Sequence, residues 1–290
     1  MSPLVSVVLS VLAWVGTMLF VASVTIIRPR RLYNLWNEAA PRLREAKYAL
    51  AVLGVVLLVS AVGRGTLAAI SAIIGIQLTG TIYAIEGDFV AWVQATFVVP
   101  QLTTYFSWVY VYGYVFLLAF PFVAYLALPK TTTLRRLIVA YALNYGIGLV
   151  VYTIVFAHGP RNVMPNMVTP LLSTFNPDFL ALTHEVNENT NVFPSLHTSL
   201  AVTAATFAAL TRDEYPLWTP IAAWLAASVV LATMYLGIHW LTDVIGGIIL
   251  AFGAVFLAYR FVEPADGEPQ SEDETEVVRD PDGEAAAVGE

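Results

Sequence analysis

Long apolar runs constrain this chain more than any other feature of its sequence. The first run, Leu4–Ile27, contains no charged residue. Six further runs follow, at residues 48–62, 106–128, 137–157, 194–210, 218–236 and 241–262. An α-helix of about 20 apolar residues crosses the hydrocarbon core of a bilayer. Because 58% of the 290 residues are hydrophobic and only 12% are charged, an ordinary soluble domain is excluded. The sequence therefore predicts an all-α polytopic membrane protein.

A signal peptide is the rival interpretation of the first run. Signal peptides have a basic start, a shorter apolar region and small residues at a cleavage site, whereas here no charge precedes Arg28. We therefore interpret residues 1–46 as a transmembrane anchor followed by a basic loop of the kind found at cytoplasmic membrane surfaces. The basic residues of this loop are Arg28, Arg30, Arg31, Arg42, Arg44 and Lys47.

Residues 66–100 are apolar but broken by small and acidic residues, which are Gly75, Gly80, Glu86, Gly87 and Asp88. We favour two helices lying at the membrane surface, while a re-entrant hairpin or a further pair of spans remain alternatives. If this segment does not cross, the chain has seven spans. In that arrangement 12 of the 14 Lys and Arg residues fall on one side, which is then predicted to be cytoplasmic. All four histidines fall on the other side.

The C-terminal stretch, residues 263–290, is unlike the rest of the chain. It holds eleven acids, one base and no aromatic residue, a composition typical of a disordered tail. We therefore predict three parts: the anchor and basic loop at 1–46, a catalytic membrane domain at 47–262, and the acidic tail. The chain has no cysteine, so disulfides and thiolate chemistry are excluded.

Two histidines and one acid stand where apolar runs meet polar stretches. Asp243 follows His239 by four residues, so on a helix both would share one face, and the carboxylate would orient the imidazole. A buried acid one turn inside an apolar segment is costly and usually functional. The other histidine, His197, follows Pro194, a residue suited to the first turn of a helix.

The start of that helix is a predicted anion site. The backbone amides of Ser195, Leu196 and His197 would be free donors in the first turn, and such amides bind phosphate. We therefore predict phosphate binding at Ser195 and Leu196. Two histidines and a carboxylate also match a facial metal triad, which is an alternative interpretation.

The motifs Pro194-Ser195-Leu196-His197 and His239-Trp240-Leu241-Thr242-Asp243 resemble those of the type-two phosphatidic acid phosphatase superfamily. Leu196 stands where that family usually has Gly. The wider pattern, FPSLH followed by TMYL and the second motif, is most similar to the inositol-phosphorylceramide synthase branch. The resemblance covers roughly residues 47–262 and implies a six-helix core, here with an extra N-terminal transmembrane helix.

The resemblance also implies the roles of the site residues. His239 would attack phosphorus or activate the attacking hydroxyl, Asp243 would orient His239, and His197 would protonate the leaving oxygen. It implies neither a metal nor a cofactor. The predicted partner is a membrane lipid substrate and not a nucleic acid, and the oligomeric state is left open.

The phosphate clamp departs from the family pattern. The family's phosphatases carry Lys and Arg at two positions occupied here by Ile154 and Thr233. Arg161 is the remaining clamp candidate, although it could instead be a loop residue that pairs with an acid. The acids within reach in the sequence are Asp178, Glu185 and Glu188. Because a phosphodiester carries less charge than a monoester, the reduced clamp favours a transferase.

The sequence therefore predicts a lipid phosphotransferase or phosphatase of the cell membrane, with its active site on the extracytoplasmic face. An isoprenoid or glycerolipid phosphate phosphatase is one alternative, and a non-catalytic lipid-binding or transport protein is another. His158 and His184 are interpreted as loop residues. The aromatic-rich stretch at 105–116 is interpreted as an interfacial belt and helix packing.

Overall fold

A computed structural model describes residues 3–175 and 191–264, and within those ranges the chain is almost entirely helical. The long helices are α1 (Pro3–Ile26), α2 (Pro29–Glu45), α3 (Lys47–Ile74), α7 (Tyr114–Leu126), α8 (Thr132–Ile154), α11 (Leu196–Leu210), α12 (Trp218–Tyr235) and α13 (Leu241–Phe261). The shorter helices are α4 (Thr79–Glu86), α5 (Phe89–Phe97), α6 (Pro100–Trp108), α9 (Pro160–Val163) and α10 (Leu171–Phe175). A π-helical turn, Val109–Gly113, joins α6 to α7.

The β structure among the described residues is a single short ladder. Strands β1 (Ile76–Gln77) and β2 (Val155–Phe156) pair in parallel, with Ile76 opposite Val155. This ladder fastens the chain after α3 to the chain after α8. The prediction of an all-α polytopic membrane protein is therefore confirmed.

Five helical segments are long and apolar enough to cross a bilayer: Val5–Ile26, Pro100–Leu126, Thr132–Ile154, Trp218–Tyr235 and Leu241–Phe261. A sixth is obtained if α2 and the first part of α3, which meet at a bend of 69°, are counted together. The predicted span at 194–210 is α11, an apolar helix of 15 residues. Each of the seven predicted apolar spans is thus helical, although not all reach the length of a full crossing.

The ambiguous segment, residues 66–100, divides between three helices. Helix α3 continues to Ile74, so the predicted end of that span near residue 62 is wrong. Helices α4 and α5 have 8 and 9 residues, which is about 12–14 Å at the rise of an α-helix. Since the hydrocarbon core is about 30 Å thick, neither short helix crosses it. They pack beside α12 and α13 at one end of the bundle.

The core of the bundle surrounds α8 and α11. Helix α8 packs against α3, α11 and α13, and α11 also packs against α12 and α13. Large buried side chains from α7, α11 and α12 fill the space between them, including Phe120, Phe207 and Trp218. Helix α1 lies outside this core, against α7 and the π turn.

The basic loops meet at one end of the bundle. Three contacts tie them together: Arg31 pairs with Glu214, Arg42 donates to the Leu126 carbonyl (2.7 Å), and Arg136 donates to the Val262 carbonyl (3.1 Å). The two histidine motifs lie at the opposite end, at the starts of α11 and α13. From residue 265 onward, the predicted acidic tail lies outside the residues that the structure describes.

Candidate active site

The second motif begins in the turn between α12 and α13. Gly237 takes a positive φ of 74°, and the His239 amide then donates to the Thr233 carbonyl at 3.1 Å. Trp240 is the N-cap of α13, so His239 precedes the helix. The predicted arrangement of His239 and Asp243 on one helix face is therefore wrong.

Their predicted pairing nevertheless exists, because Asp243 reaches back over the helix end. Its Oδ2 accepts from the Trp240 amide at 2.8 Å and lies 3.4 Å from Nδ1 of His239. This is the reach of a carboxylate at the third position of a helix towards its N-cap. The pair is thus set by capping geometry. Because Nδ1 faces Asp243, Nε2 is the ring nitrogen of His239 that points away from the carboxylate.

Both members of the pair are buried. His239 is 2% exposed and Asp243 is fully buried. Among the described residues, no group hydrogen-bonds to Oδ1 of Asp243. A buried carboxylate with an unpaired oxygen is costly, and helix capping uses only the other oxygen.

The first motif opens α11. Ser195 is the N-cap, and its Oγ accepts from the Thr198 amide at 3.3 Å. The Ser195 amide donates to the Asp243 carbonyl at 3.0 Å. The prediction that this amide is a free phosphate donor is therefore wrong, and Pro194 lies before the helix rather than in its first turn. The same hydrogen bond joins the two motifs directly.

Tyr152 occupies the next part of the predicted anion site. Its hydroxyl donates to the Pro194 carbonyl at 2.9 Å and also contacts the Leu196 backbone amide. Gly247 of α13 lies so close that an added Cβ would meet the Ser195 carbonyl at 2.5 Å. The start of α11 is thus tightly enclosed by α8 and α13.

His197 lies in the first turn of α11 against two tyrosines. Its ring is stacked on Tyr110 (centroids 4.5 Å apart, 19° between planes) and contacts Tyr114 at 4.5 Å and 36°. The Tyr110 hydroxyl lies 3.5 Å from Nδ1 of His197. Tyr110 belongs to the π turn, and such turns are frequent at functional sites. The aromatic stretch therefore packs against one of the predicted site residues.

Arg161 is held beside the second motif by its backbone. Its amide donates to the Gly237 carbonyl at 3.3 Å. Burial lowers the pKa of the Arg161 guanidinium from its ordinary value, and the nearby Tyr110 hydroxyl acts in the opposite direction. The acids proposed as its alternative partners lie outside the described residues.

The two positions that carry cations in the family's phosphatases are apolar or enclosed here. Ile154 is 52% exposed at the end of α8. Thr233 is fully buried, and its side chain donates to the Val230 carbonyl at 2.7 Å. Neither position supplies a charge to the site.

The fold brings most of the predicted site residues together. His197 and His239 lie within electrostatic range of each other, and Arg161 lies within such range of Tyr110. The exposed His158 contributes its backbone, since its carbonyl accepts from Nε1 of Trp240 at 2.8 Å. His184 lies outside the described residues.

Sequence reasoning missed two polar residues that hold the motifs. Asn191 accepts from the Ala157 amide at 3.1 Å and donates to the Tyr152 carbonyl at 2.9 Å, so it fastens the first motif to the end of α8. Glu86 accepts from two amides at the start of α13. An acid within an apolar stretch is the signal that could have pointed to Glu86.

The metal alternative finds no support in the geometry. Within residues 3–175 and 191–264, no group of three or more His, Asp or Glu side chains is arranged to hold a metal ion. His239 instead pairs with Asp243 at the start of α13, while His197 stacks on Tyr110.

The fold and the two motifs together define a polytopic membrane protein with a buried histidine–aspartate pair at one end of its helical bundle. The sequence signature of the PAP2 superfamily matches residues 82–257, which is more than half of the chain, and the chain belongs to that superfamily. No curated protein and no solved structure matches the chain. Membership confirms the predicted superfamily and supports activity of the phosphatase or phosphotransferase type.

Proposed function

We propose that this protein is a metal-independent lipid phosphotransferase that moves a phosphate-linked headgroup from a lipid phosphodiester to an alcohol acceptor. The observation that carries the proposal is the buried His239–Asp243 pair, joined to the His197 motif by the hydrogen bond from Ser195 to Asp243. The branch of the superfamily that this describes is the one resembling inositol-phosphorylceramide synthases.

Each proposed role follows from the position of a side chain. Asp243 faces Nδ1 of His239, so Nε2 attacks phosphorus or accepts the proton of the attacking hydroxyl. The bond from phosphorus to the leaving oxygen then breaks, and His197 donates a proton to that oxygen. Where Nε2 is the nucleophile, the acceptor hydroxyl next attacks phosphorus, His197 takes its proton, and the phosphorus–nitrogen bond breaks to free His239. Arg161 and the backbone amide of His197 stabilise the negative charge that develops on the phosphoryl oxygens.

The charge of the site favours a diester. A phosphate monoester near neutral pH carries about −1.5 to −2, whereas a diester carries about −1. Binding the greater charge away from water requires several fixed cations. At the two further cation positions of the phosphatases this chain has the exposed Ile154 and the enclosed Thr233.

We predict that a lipid phosphodiester with an alcohol acceptor is turned over faster than a matched lipid monophosphate with water. The measurement is side-by-side turnover of both lipids by the purified protein in nanodiscs. Arg161→Ala should raise KM or abolish activity, since it removes the clamp. Arg212→Ala is the matched control, because Arg212 is exposed at the opposite end of the bundle.

Two outcomes would contradict this proposal in different ways. A monoester cleaved about tenfold faster or more, a difference of about 1.4 kcal/mol in barrier, would identify an isoprenoid or glycerolipid phosphate phosphatase. A protein that retains bound lipid but turns over neither substrate would identify a non-catalytic lipid-binding or transport protein.

A further inference from the structure

Glu86 reaches from α4 to the helix that carries Asp243. Its Oε2 accepts from the Leu241 amide at 2.8 Å, and its Oε1 accepts from the Thr242 amide at 2.5 Å. The first amides of a helix have no partner within the helix, and they favour a negative charge. Both hydrogen bonds are charge-assisted, a class about twice as strong as neutral hydrogen bonds.

Glu86 and Asp243 together fill the N-terminal end of α13. Asp243 holds the Trp240 amide, so three consecutive amides are bound by carboxylates of the chain itself. These amides belong to the three residues that separate His239 from Asp243. Any movement of the helix start would therefore change the distance between the two site residues.

The segment that carries Glu86 is fixed on its other side. Gln94 of α5 accepts from the Thr169 amide at 2.8 Å and donates to the Tyr235 carbonyl at 3.0 Å. Ile82 and Val90 are buried in one cluster with Trp240. Helices α4 and α5 therefore form a packed support from which Glu86 reaches α13.

We propose that Glu86 is a positioning residue for the His239–Asp243 pair, and this inference rests on the proposed function. Glu86 hydrogen-bonds to the backbone amides of Leu241 and Thr242 and not to the side chains of His239 or Asp243, so it acts by fixing those two residues. Its charge also lies within electrostatic reach of Asp243. The distance from Nδ1 of His239 to Oδ2 of Asp243 is 3.4 Å, near the upper limit for a hydrogen bond. Small displacements within a catalytic pair lower the reaction rate strongly. The pair therefore depends on the hydrogen bonds that Glu86 accepts.

The test compares Glu86→Ala, Glu86→Gln and a matched control, Asp88→Ala. Asp88 lies two residues further along, and its Oδ1 accepts from the Tyr83 hydroxyl at 3.2 Å. Glu86→Ala should lower kcat by about ten- to a hundredfold and leave KM within about twofold, because substrate contacts are unchanged. Glu86→Gln should recover only part of the rate, since its single amide oxygen can accept from one of the two amides while its NH2 group cannot accept from the other. Asp88→Ala should behave as the wild type.

A double-mutant cycle separates positioning from general destabilisation. If Glu86 acts through the pair, Glu86→Ala should add little to the loss already caused by Asp243→Asn, because coupled residues are non-additive. Full additivity would overturn the proposal. So would a Glu86→Ala protein whose kcat equals that of Asp88→Ala.

Hydrogen–deuterium exchange tests the contact without turnover. The peptide containing residues 240–243 should exchange faster in Glu86→Ala than in the wild type or Asp88→Ala, while residues 196–210 should not change. Unchanged exchange would overturn the proposal even if no lipid is turned over. If exchange is faster in Glu86→Ala while the wild-type protein turns over no lipid, the proposed function alone is contradicted.

Discussion

Asp243 contacts three groups, two through its carboxylate and one through its backbone carbonyl. Its carboxylate accepts from the Trp240 amide and contacts His239, while its carbonyl accepts from the Ser195 amide. The side chain therefore serves the second motif, and the backbone serves the first. An isosteric change that removes only the charge should leave the backbone link intact.

We predict that His239→Ala and Asp243→Asn each lower turnover at least about a hundredfold, since each removes a base or the group that orients it. Turnover of the preferred lipid by the purified variants is the measurement, with size-exclusion chromatography to confirm folding. Asp213→Asn is the control, because its side chain is 94% exposed at the far end of the bundle. A folded variant with near-normal turnover would remove that residue from the mechanism.

The sequence predicts the site only where local spacing sets the geometry. His239 and Asp243 are four residues apart, and their contact is confirmed although its route is not a shared helix face. Glu86 lies 155 residues from Leu241, and Tyr110 lies 87 residues from His197. Contacts over such separations depend on tertiary packing, which no local pattern encodes.

The turn between α12 and α13 sets the position of His239, which lies between the two helices. Gly237 has a positive φ, and an added Cβ would meet the Val168 side chain at 2.6 Å and Nε2 of Gln94 at 3.1 Å. This turn also receives the Arg161 amide. The element therefore ties the backbone of the predicted clamp residue to the turn that leads to the predicted base.

We predict that Gly237→Ala destabilises the protein by about 1–3 kcal/mol, the usual cost of a strained backbone conformation, and lowers turnover. Thermal unfolding in detergent and turnover are the measurements. Gly253→Ala is the control, because an added Cβ there meets nothing within 4 Å and alanine favours the helix interior. Equal stability of the two variants would show that the turn tolerates a side chain.

Helix ends were harder to predict than helices. The apolar run at 48–62 predicts a span that ends near residue 62, yet α3 continues to Ile74. A helix satisfies its own backbone hydrogen bonds, which favours its continuation in an apolar environment. Packing along α8 supplies the contacts that local composition does not show.

The bundle has one basic end and one end that carries the motifs. The basic loops meet through contacts such as the ion pair between Arg31 and Glu214. Since positive loops remain cytoplasmic, we propose that the motifs lie on the extracytoplasmic side of the cell membrane. The assignment of residues 1–46 to an anchor and basic loop is consistent with this orientation and stays a prediction.

Single cysteines test the orientation cleanly, because the chain has none. We predict that Asn166→Cys is labelled by an impermeant thiol reagent in intact cells, and that Arg212→Cys is labelled only after lysis. Both positions are exposed, so accessibility within the fold does not limit labelling. The cysteine-free parent measures background. The reverse pattern would invert the orientation.

The stacking of His197 on Tyr110 also indicates how far His197 lies from the end of the bundle. Tyr110 lies ten residues beyond Pro100, where α6 begins, which is about 15 Å along the helix. Helix α6 therefore extends past His197 towards the end of the bundle that carries the motifs. We expect this recess to limit the supply of bulk water and to leave the choice of acceptor to whichever hydroxyl enters beside the donor lipid. The ratio of headgroup transfer to hydrolysis would then depend on the depth of this recess as well as on the charges of the site.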